Sequence, residues 1–176
     1  CYVPYWVKNA PERFPRSRKK DGTAIEILTP FRSENMEADR KAFTALMKHI
    51  KSIDNTEHTV IMMQVENEIG MIPEARDYHE VANEKFMEPV PAELIAYLRE
   101  NKDLLIPEFR EIWEQNGYKT SGTWSEVFGE GIQTDEIFMA WYFGQYTNAV
   151  AKAGKKEYNL PMYVNAALIR PGYLPG

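Results

Sequence analysis

Two carboxylates separated by one amide side chain follow a short apolar run in this sequence. The run is Val60–Val65, and Glu66, Asn67 and Glu68 come directly after it. The run has no helical period, which is typical of a strand buried on both faces of a parallel sheet. Such sheets usually carry their chemistry at the carboxyl ends of the strands. The pattern therefore predicts a site in which carboxyl groups act on protons.

Alternation along this strand separates its side chains into two sets. Side chains two residues apart share a face, which predicts one polar and one apolar face. In a closed barrel the polar set would face the interior and the apolar set would face surrounding helices. The polar set is Gln64, Glu66 and Glu68, and the apolar set is Ile61, Met63 and Val65. Strict alternation turns Asn67 away, so local twist must rotate it into the site.

The segment Gln64–Gly70, QVENEIG, resembles the QVENEYG signature of glycoside hydrolase family 35, the β-galactosidases with a (β/α)8 barrel. Tyr2–Lys8 looks like the loop after barrel strand three of that family, and Leu160–Asn165 looks like strand five. The likeness is nearest to the bacterial branch, with some similarity to family 42. Ile69 departs from the usual Tyr, which leaves the carboxylates in place but changes a wall of the sugar pocket.

The resemblance implies particular roles for the polar residues. Glu68 is expected to be the catalytic acid/base, Asn67 and Glu66 to hydrogen-bond sugar hydroxyls, and Asn165 to lie near the pocket. Hydrolysis of a glycosidic bond with retention of configuration at the anomeric carbon requires two carboxyl groups about 5 Å apart. In the family the nucleophile is a Glu on strand seven, and no residue here takes that place. Burial beside a second carboxylate should also raise the pKa of Glu68 and keep it protonated.

Aromatic residues in predicted loops have two interpretations. Their rings can stack on the C–H face of a sugar, or they can anchor the loops to the core. Trp6 and Trp124 are the candidates for sugar contact, with Tyr2, Tyr5 and Phe128 beside them.

Length limits the fold. A complete (β/α)8 barrel requires about 250 residues, and this chain has 176. The expected fold class is α/β, a partial TIM barrel from the loop after strand three through strand five, forming one partial catalytic domain over residues 1–176. Because the sequence starts at Cys1 in an apolar segment, we expect an internal fragment that lacks barrel segments at both ends and is inactive without them. An unclosed half barrel exposes strand edges and should be marginally stable alone.

Composition excludes several classes of function. The net charge of −5 gives no attraction to nucleic acid, and one Cys excludes an intrachain disulfide. No apolar run approaches the roughly 20 residues that cross a bilayer. We expect no cofactor and no metal; the expected partner is a β-galactoside oligo- or polysaccharide. The residues do not fix the compartment, although the resemblance implies a bacterial periplasmic or extracellular protein.

Two alternatives remain open. One is a carbohydrate-binding protein that has the pocket but no nucleophile. The other is a cation site formed by Glu66, Glu68 and Asp77, although hard cations want six or more oxygens.

The predicted elements place these residues in a helix–strand alternation. Four helices are predicted: from the cap Ser33 to Asp54–Asn55, from Pro91, from Pro107 to Asn116–Gly117, and from the cap Thr134 to a stop at Gly154. A second strand is predicted over Leu160–Leu168. Residues 1–32, 71–90 and 118–133 are predicted to be loops. A helix followed by a buried strand indicates a parallel sheet.

Overall fold

The computed structural model describes residues 3–166. The predicted aromatic Tyr2 and the end of the predicted strand, Ala167 and Leu168, lie outside these residues. Seven α-helices, a short 3₁₀ helix and four strands are described. In chain order they are α1 (Tyr5–Lys8), β1 (Arg16–Arg18), β2 (Ala24–Leu28), α2 (Ser33–Asp54), β3 (Met63–Gln64), α3 (Glu80–Met87), α4 (Ala92–Glu100), the 3₁₀ helix Lys102–Leu104, α5 (Pro107–Gln115), α6 (Trp124–Phe128), α7 (Ile132–Glu157) and β4 (Met162–Tyr163).

The strands that carry the candidate site are parallel, as predicted. Met63 pairs with Met162 and Gln64 with Tyr163. The ladder continues past the short strands, since the Val65 N–H donates to the Tyr163 carbonyl over 2.9 Å. The Asp54 carboxylate at the end of α2 fixes the entry to β3 by accepting from the backbone N–H groups of residues 59 and 60. The Thr59 hydroxyl also donates to Asp54 and, together with these backbone donors, holds the pKa of Asp54 below its ordinary value, so the carboxylate stays an acceptor at neutral pH.

Met63 and Val65 pack on the helices, as alternation predicts, but Ile61, expected on the same face of a buried strand, is 75% exposed and lies before β3. Met63, Val65 and Met162 lie against a small core of buried residues from α2 and α7. That core is Phe43, Met47 and Val150. The other end of α7 belongs to the larger core formed with α4, α5 and α6, so α7 contributes to both cores.

Three predicted helix ends are wrong. Ser33 is the first helical residue after the N-cap Arg32. Thr134 lies inside α7, where its hydroxyl donates to the Gly129 carbonyl. Gly154 does not stop α7, which continues to Glu157. A Cβ at Gly154 would lie 2.4 Å from the Phe43 ring, so glycine is required there for close helix packing.

The first 32 residues are more ordered than the prolines indicate. β1 and β2 form an antiparallel hairpin, with Arg16 opposite Leu28 and Arg18 opposite Ala24. The Arg16 guanidinium also pairs with the Glu26 carboxylate at 2.7 Å. Asn35 of α2 ties the hairpin down, because its side-chain amide donates to the backbone carbonyls of residues 15 and 29. This hairpin forms one wall of the site described below.

All three predicted loops contain helices: α1 lies in the first, α3 in the second and α6 in the third. His79 caps α3, since its ring nitrogen accepts from the Val81 N–H. Thr123 and Glu126 form a capping box that starts α6. Both helices are short and lie between stretches without helical period, which is why pattern alone missed them.

The described residues contain two separate two-stranded sheets. Two parallel strands with helices on one face are compatible with part of a barrel wall, and the partial TIM barrel stays a prediction.

Candidate functional site

A cavity of about 370 Å³ opens beyond the carboxyl end of β3. Four parts of the chain form its walls: the β2 hairpin, α2, the segment after β3, and α7. The polar and ionisable residues that line it are Glu26, Asp39, Glu66, Asn67, Glu68, Tyr146 and Thr147. No Lys, Arg or His is among the lining residues that the structure describes. The three polar residues of the ENE segment therefore share one concave surface.

Amide side chains connect the ends of β3 and β4. The Asn165 Oδ1 accepts from the Glu68 backbone N–H and from the Gln64 Nε2, each over 3.0 Å. The same Gln64 Nε2 also donates to the Asn67 Oδ1 over 2.8 Å. Asn67 therefore lies on the side of Gln64 despite strict alternation, which is the rotation expected from the sequence. Asn165 and Asn67 are exposed, so their remaining donors are accessible.

Glu68 lies at the rim of the cavity. Its backbone has φ of 51°, a left-handed conformation that is uncommon for a residue with a side chain. This turn ends the extended run and is held by the bond to Asn165. The side chain lines the cavity but is exposed. The expectation that Glu68 is partly desolvated is therefore wrong.

The desolvated carboxyl group belongs to Glu66. Its side chain is half-buried in the same cavity. Burial, together with the nearby charge of Asp39, raises the pKa of Glu66 to about 7. Its carboxyl group is consequently neutral in a large fraction of molecules near neutral pH. A neutral carboxyl group both donates and accepts a hydrogen bond, whereas the ionised group only accepts.

Asp39 and Tyr146 are site residues that the sequence analysis missed. Asp39 is on α2 and Tyr146 on α7, and the Tyr146 hydroxyl donates to the Asp39 Oδ2. Burial raises the pKa of Asp39, and the bond from Tyr146 opposes that rise. Burial and the neighbouring carboxylates raise the pKa of Tyr146, so the phenol keeps its proton.

A signal for Asp39 was present in the sequence. Asp39 lies in a row with spacing of four that includes the buried Asn35, Phe43 and Met47. A carboxylate in a buried row of a helix indicates a specific partner.

The two tryptophans occupy different environments. Trp124 is 0% exposed and packs among Phe128, Phe138 and Tyr142 in the larger core. The prediction that Trp124 contacts a ligand is wrong, because α6 turns its indole inward. Trp6 is 56% exposed and packs edge-on against Phe14 at 5.3 Å. Trp6 is not among the lining residues of the cavity, and its role in sugar contact stays a prediction.

The proposed cation ligands are not brought together. Asp77 is fully buried and its Oδ1 accepts from the backbone N–H groups of Arg18 and His79, away from the lining residues of the cavity. Within residues 3–166, no cluster of three or more His, Cys, Asp or Glu side chains is arranged to hold a metal ion.

Comparison of the sequence with protein families and with curated proteins gives no match to either. None of the helices described between residues 3 and 166 has the length and apolar character needed to span a bilayer.

Proposed function

We propose that this chain carries the acid/base half of the catalytic site of a retaining glycoside hydrolase that releases terminal β-linked galactose. One observation supports it most strongly: Glu66, Asn67 and Glu68 line one cavity at the carboxyl end of a parallel strand, with the Glu68 amide bound to Asn165 of the neighbouring strand. Polar groups converging in a concave site are the usual arrangement for binding a small polar ligand.

In the proposed reaction Glu68 transfers its proton to the glycosidic oxygen as the C–O bond breaks. A carboxylate elsewhere in the intact protein attacks the anomeric carbon and forms a glycosyl-enzyme intermediate. Glu68 then accepts a proton from water as that water attacks the anomeric carbon and releases the carboxylate. The rim position of Glu68 suits this role, because the leaving group must depart and water must enter at the same edge of the cavity.

The amides beneath Glu68 fit the recognition of hydroxyl groups. Asn67, Asn165 and Gln64 are already connected through shared hydrogen bonds, which limits the movement of each side chain. Preorganised donors and acceptors reduce the cost of ordering the site when a ligand binds. A carbohydrate-binding protein without hydrolytic activity is the second candidate, since this amide array does not depend on the missing nucleophile.

The test uses the intact polypeptide and two β-galactosides that differ in their leaving group. Glu68→Gln should lower kcat for a substrate with a poor leaving group by about 10²–10⁴-fold, because that oxygen requires protonation. For a dinitrophenyl galactoside the rate constant of the first, bond-breaking step should fall far less, because the phenolate leaves without being protonated. Glu100→Gln, at an exposed position on α4, is the matched control.

Equal loss on both substrates would contradict the assignment of Glu68 as the acid. Galactose binding without turnover of either substrate by the unaltered protein would favour the binding protein instead.

A further inference from the structure

The carboxyl group of Glu66 is held within a cluster that spans three elements. Asp39 approaches from α2 and Tyr146 from α7, and both line the cavity with Glu66. Among the other ionisable groups lining the cavity, Glu26 of β2 is engaged by Arg16 at 2.7 Å, and Glu68 follows on the same segment. No cationic side chain lines the cavity among the described residues, so nothing there favours ionisation of Glu66.

The positions of Asp39 and Tyr146 are fixed by the packing of their helices. Close approach of α2 and α7 requires Gly154, where any Cβ would overlap Phe43. The hydrogen bond from Tyr146 to Asp39 joins the two helices at the level of the cavity. A phenol that donates to a carboxylate stabilises its charge, which opposes the effect of burial on Asp39. The Tyr146 hydroxyl therefore favours the charged form of Asp39 beside a second acidic group, although burial still raises the pKa of Asp39.

We propose that Asp39 and Tyr146 are positioning residues for Glu66, and that they determine whether its carboxyl group donates or accepts a hydrogen bond toward the sugar. The identity of the ligand in this inference rests on the proposed function, whereas the arrangement of the three side chains does not. With Asp39 negative, Glu66 keeps its proton and presents a donor to an oxygen of the ligand. Once Glu66 ionises, that donor is lost and two carboxylates repel each other at the back of the cavity.

The direction in which pH changes ligand binding follows from the raised pKa of Glu66. The pKa of Glu66 is raised to about 7, so the donor form predominates below that pH and disappears as the pH rises through it. Binding of galactose should weaken over the same range. Asn in place of Asp39 removes the repelling charge, and the loss of binding should then occur at a lower pH.

The first experiment follows the side-chain carboxyl ¹³C resonances of the chain by NMR between pH 4 and 9. Glu66 should titrate near pH 7 in the unaltered chain. Asp39→Asn should lower that midpoint by about one pH unit. Tyr146→Phe should raise the midpoint of Asp39, because its carboxylate loses a donor. The control Tyr142→Phe removes a hydroxyl from the same helix at a position that does not line the cavity, and should leave both midpoints unchanged.

The second readout is galactose affinity at each pH, whose midpoint should move with that of Glu66. A Glu66 midpoint that stays the same in Asp39→Asn, while amide spectra show a folded protein, would overturn the proposal. So would a midpoint near the ordinary value of a glutamate in the unaltered chain. If Asp39→Asn does not fold, Asp39→Ser, which removes the same charge with a smaller side chain, takes its place, and an unchanged Glu66 midpoint in it would equally overturn the proposal. Hydrolysis is not measured here, so failure of the proposed reaction and failure of this inference are distinguishable.

Discussion

At the scale of single residues, two carboxylates two positions apart have different environments. Glu66 is half-buried near Asp39, whereas Glu68 is exposed at the rim and has a left-handed backbone. The turn at Glu68 separates them, since it interrupts the alternation that would put both on one face. Alternation placed both carboxylates on one side of the strand, but the desolvation expected of Glu68, the acid implied by the resemblance, is found at Glu66 instead.

The backbone at Glu68 gives the first residue-scale prediction. A left-handed conformation costs a residue with a Cβ about 1 kcal/mol relative to glycine. Glu68→Gly should therefore be more stable to urea unfolding than Glu68→Ala by about that amount, while both lack the proposed acid. At Glu66, where φ is not positive, Gly should be less stable than Ala. Equal stabilities of the Gly and Ala variants at position 68 would show that this conformation carries no strain.

The sequence indicated the polar motif but not the residues behind it. Glu66, Asn67 and Glu68 follow one predicted strand and Asn165 lies within the other, and the structure brings them together at one edge. Asp39 comes from a helix about thirty residues earlier in the chain, and its partner Tyr146 from a helix far downstream. Contacts between distant helices depend on tertiary packing, which a local period does not encode.

At the scale of elements, the site depends on the α2–α7 pair. These helices form the outer cover of β3 and β4 and supply Asp39 and Tyr146 to the cavity. Their long apolar periods made both helices predictable from the sequence. The parallel pairing of the strands was predictable as well. The exact ends of the helices were less predictable, because a glycine that ends one helix allows close packing inside another.

Gly154 gives the element-scale prediction. In Gly154→Ala the new methyl group would lie 2.4 Å from the Phe43 ring, so the helices must separate or the ring must move. Such overpacking costs about 1–3 kcal/mol, which exceeds the gain of about 1 kcal/mol from alanine in a helix. We expect a lower midpoint of thermal unfolding.

Gly144→Ala is the matched control on the same helix, where a Cβ meets no atom within 4 Å. It should stabilise the protein by about 1 kcal/mol. If the two alanine variants gain stability equally, the close approach at Gly154 is not a constraint on the fold.

At the scale of the whole molecule, the hairpin, the helix pair and the strand ends enclose one cavity. Several apolar side chains around the parallel strands are exposed, namely Tyr163 and Val164 and, before β3, Ile61 and Met62. The hairpin is not evident from the sequence because its strands are short and lie among prolines, and β1 is entirely polar. Its anchoring to Asn35 joins residues 20 positions apart. The partial barrel predicted from the sequence remains a prediction.

The most direct test of a sugar site in this cavity is an NMR titration of the ¹⁵N-labelled chain with galactose. We expect shifts concentrated at the backbone amides of Glu68 and Ile69 and at the side-chain amides of Asn67, Asn165 and Gln64, with glucose giving weaker effects. These shifts should be lost in Asn165→Ala, which removes the acceptor of the Glu68 amide. Saturable shifts confined to another surface, or no difference between the unaltered chain and Asn165→Ala, would contradict a sugar site in this cavity.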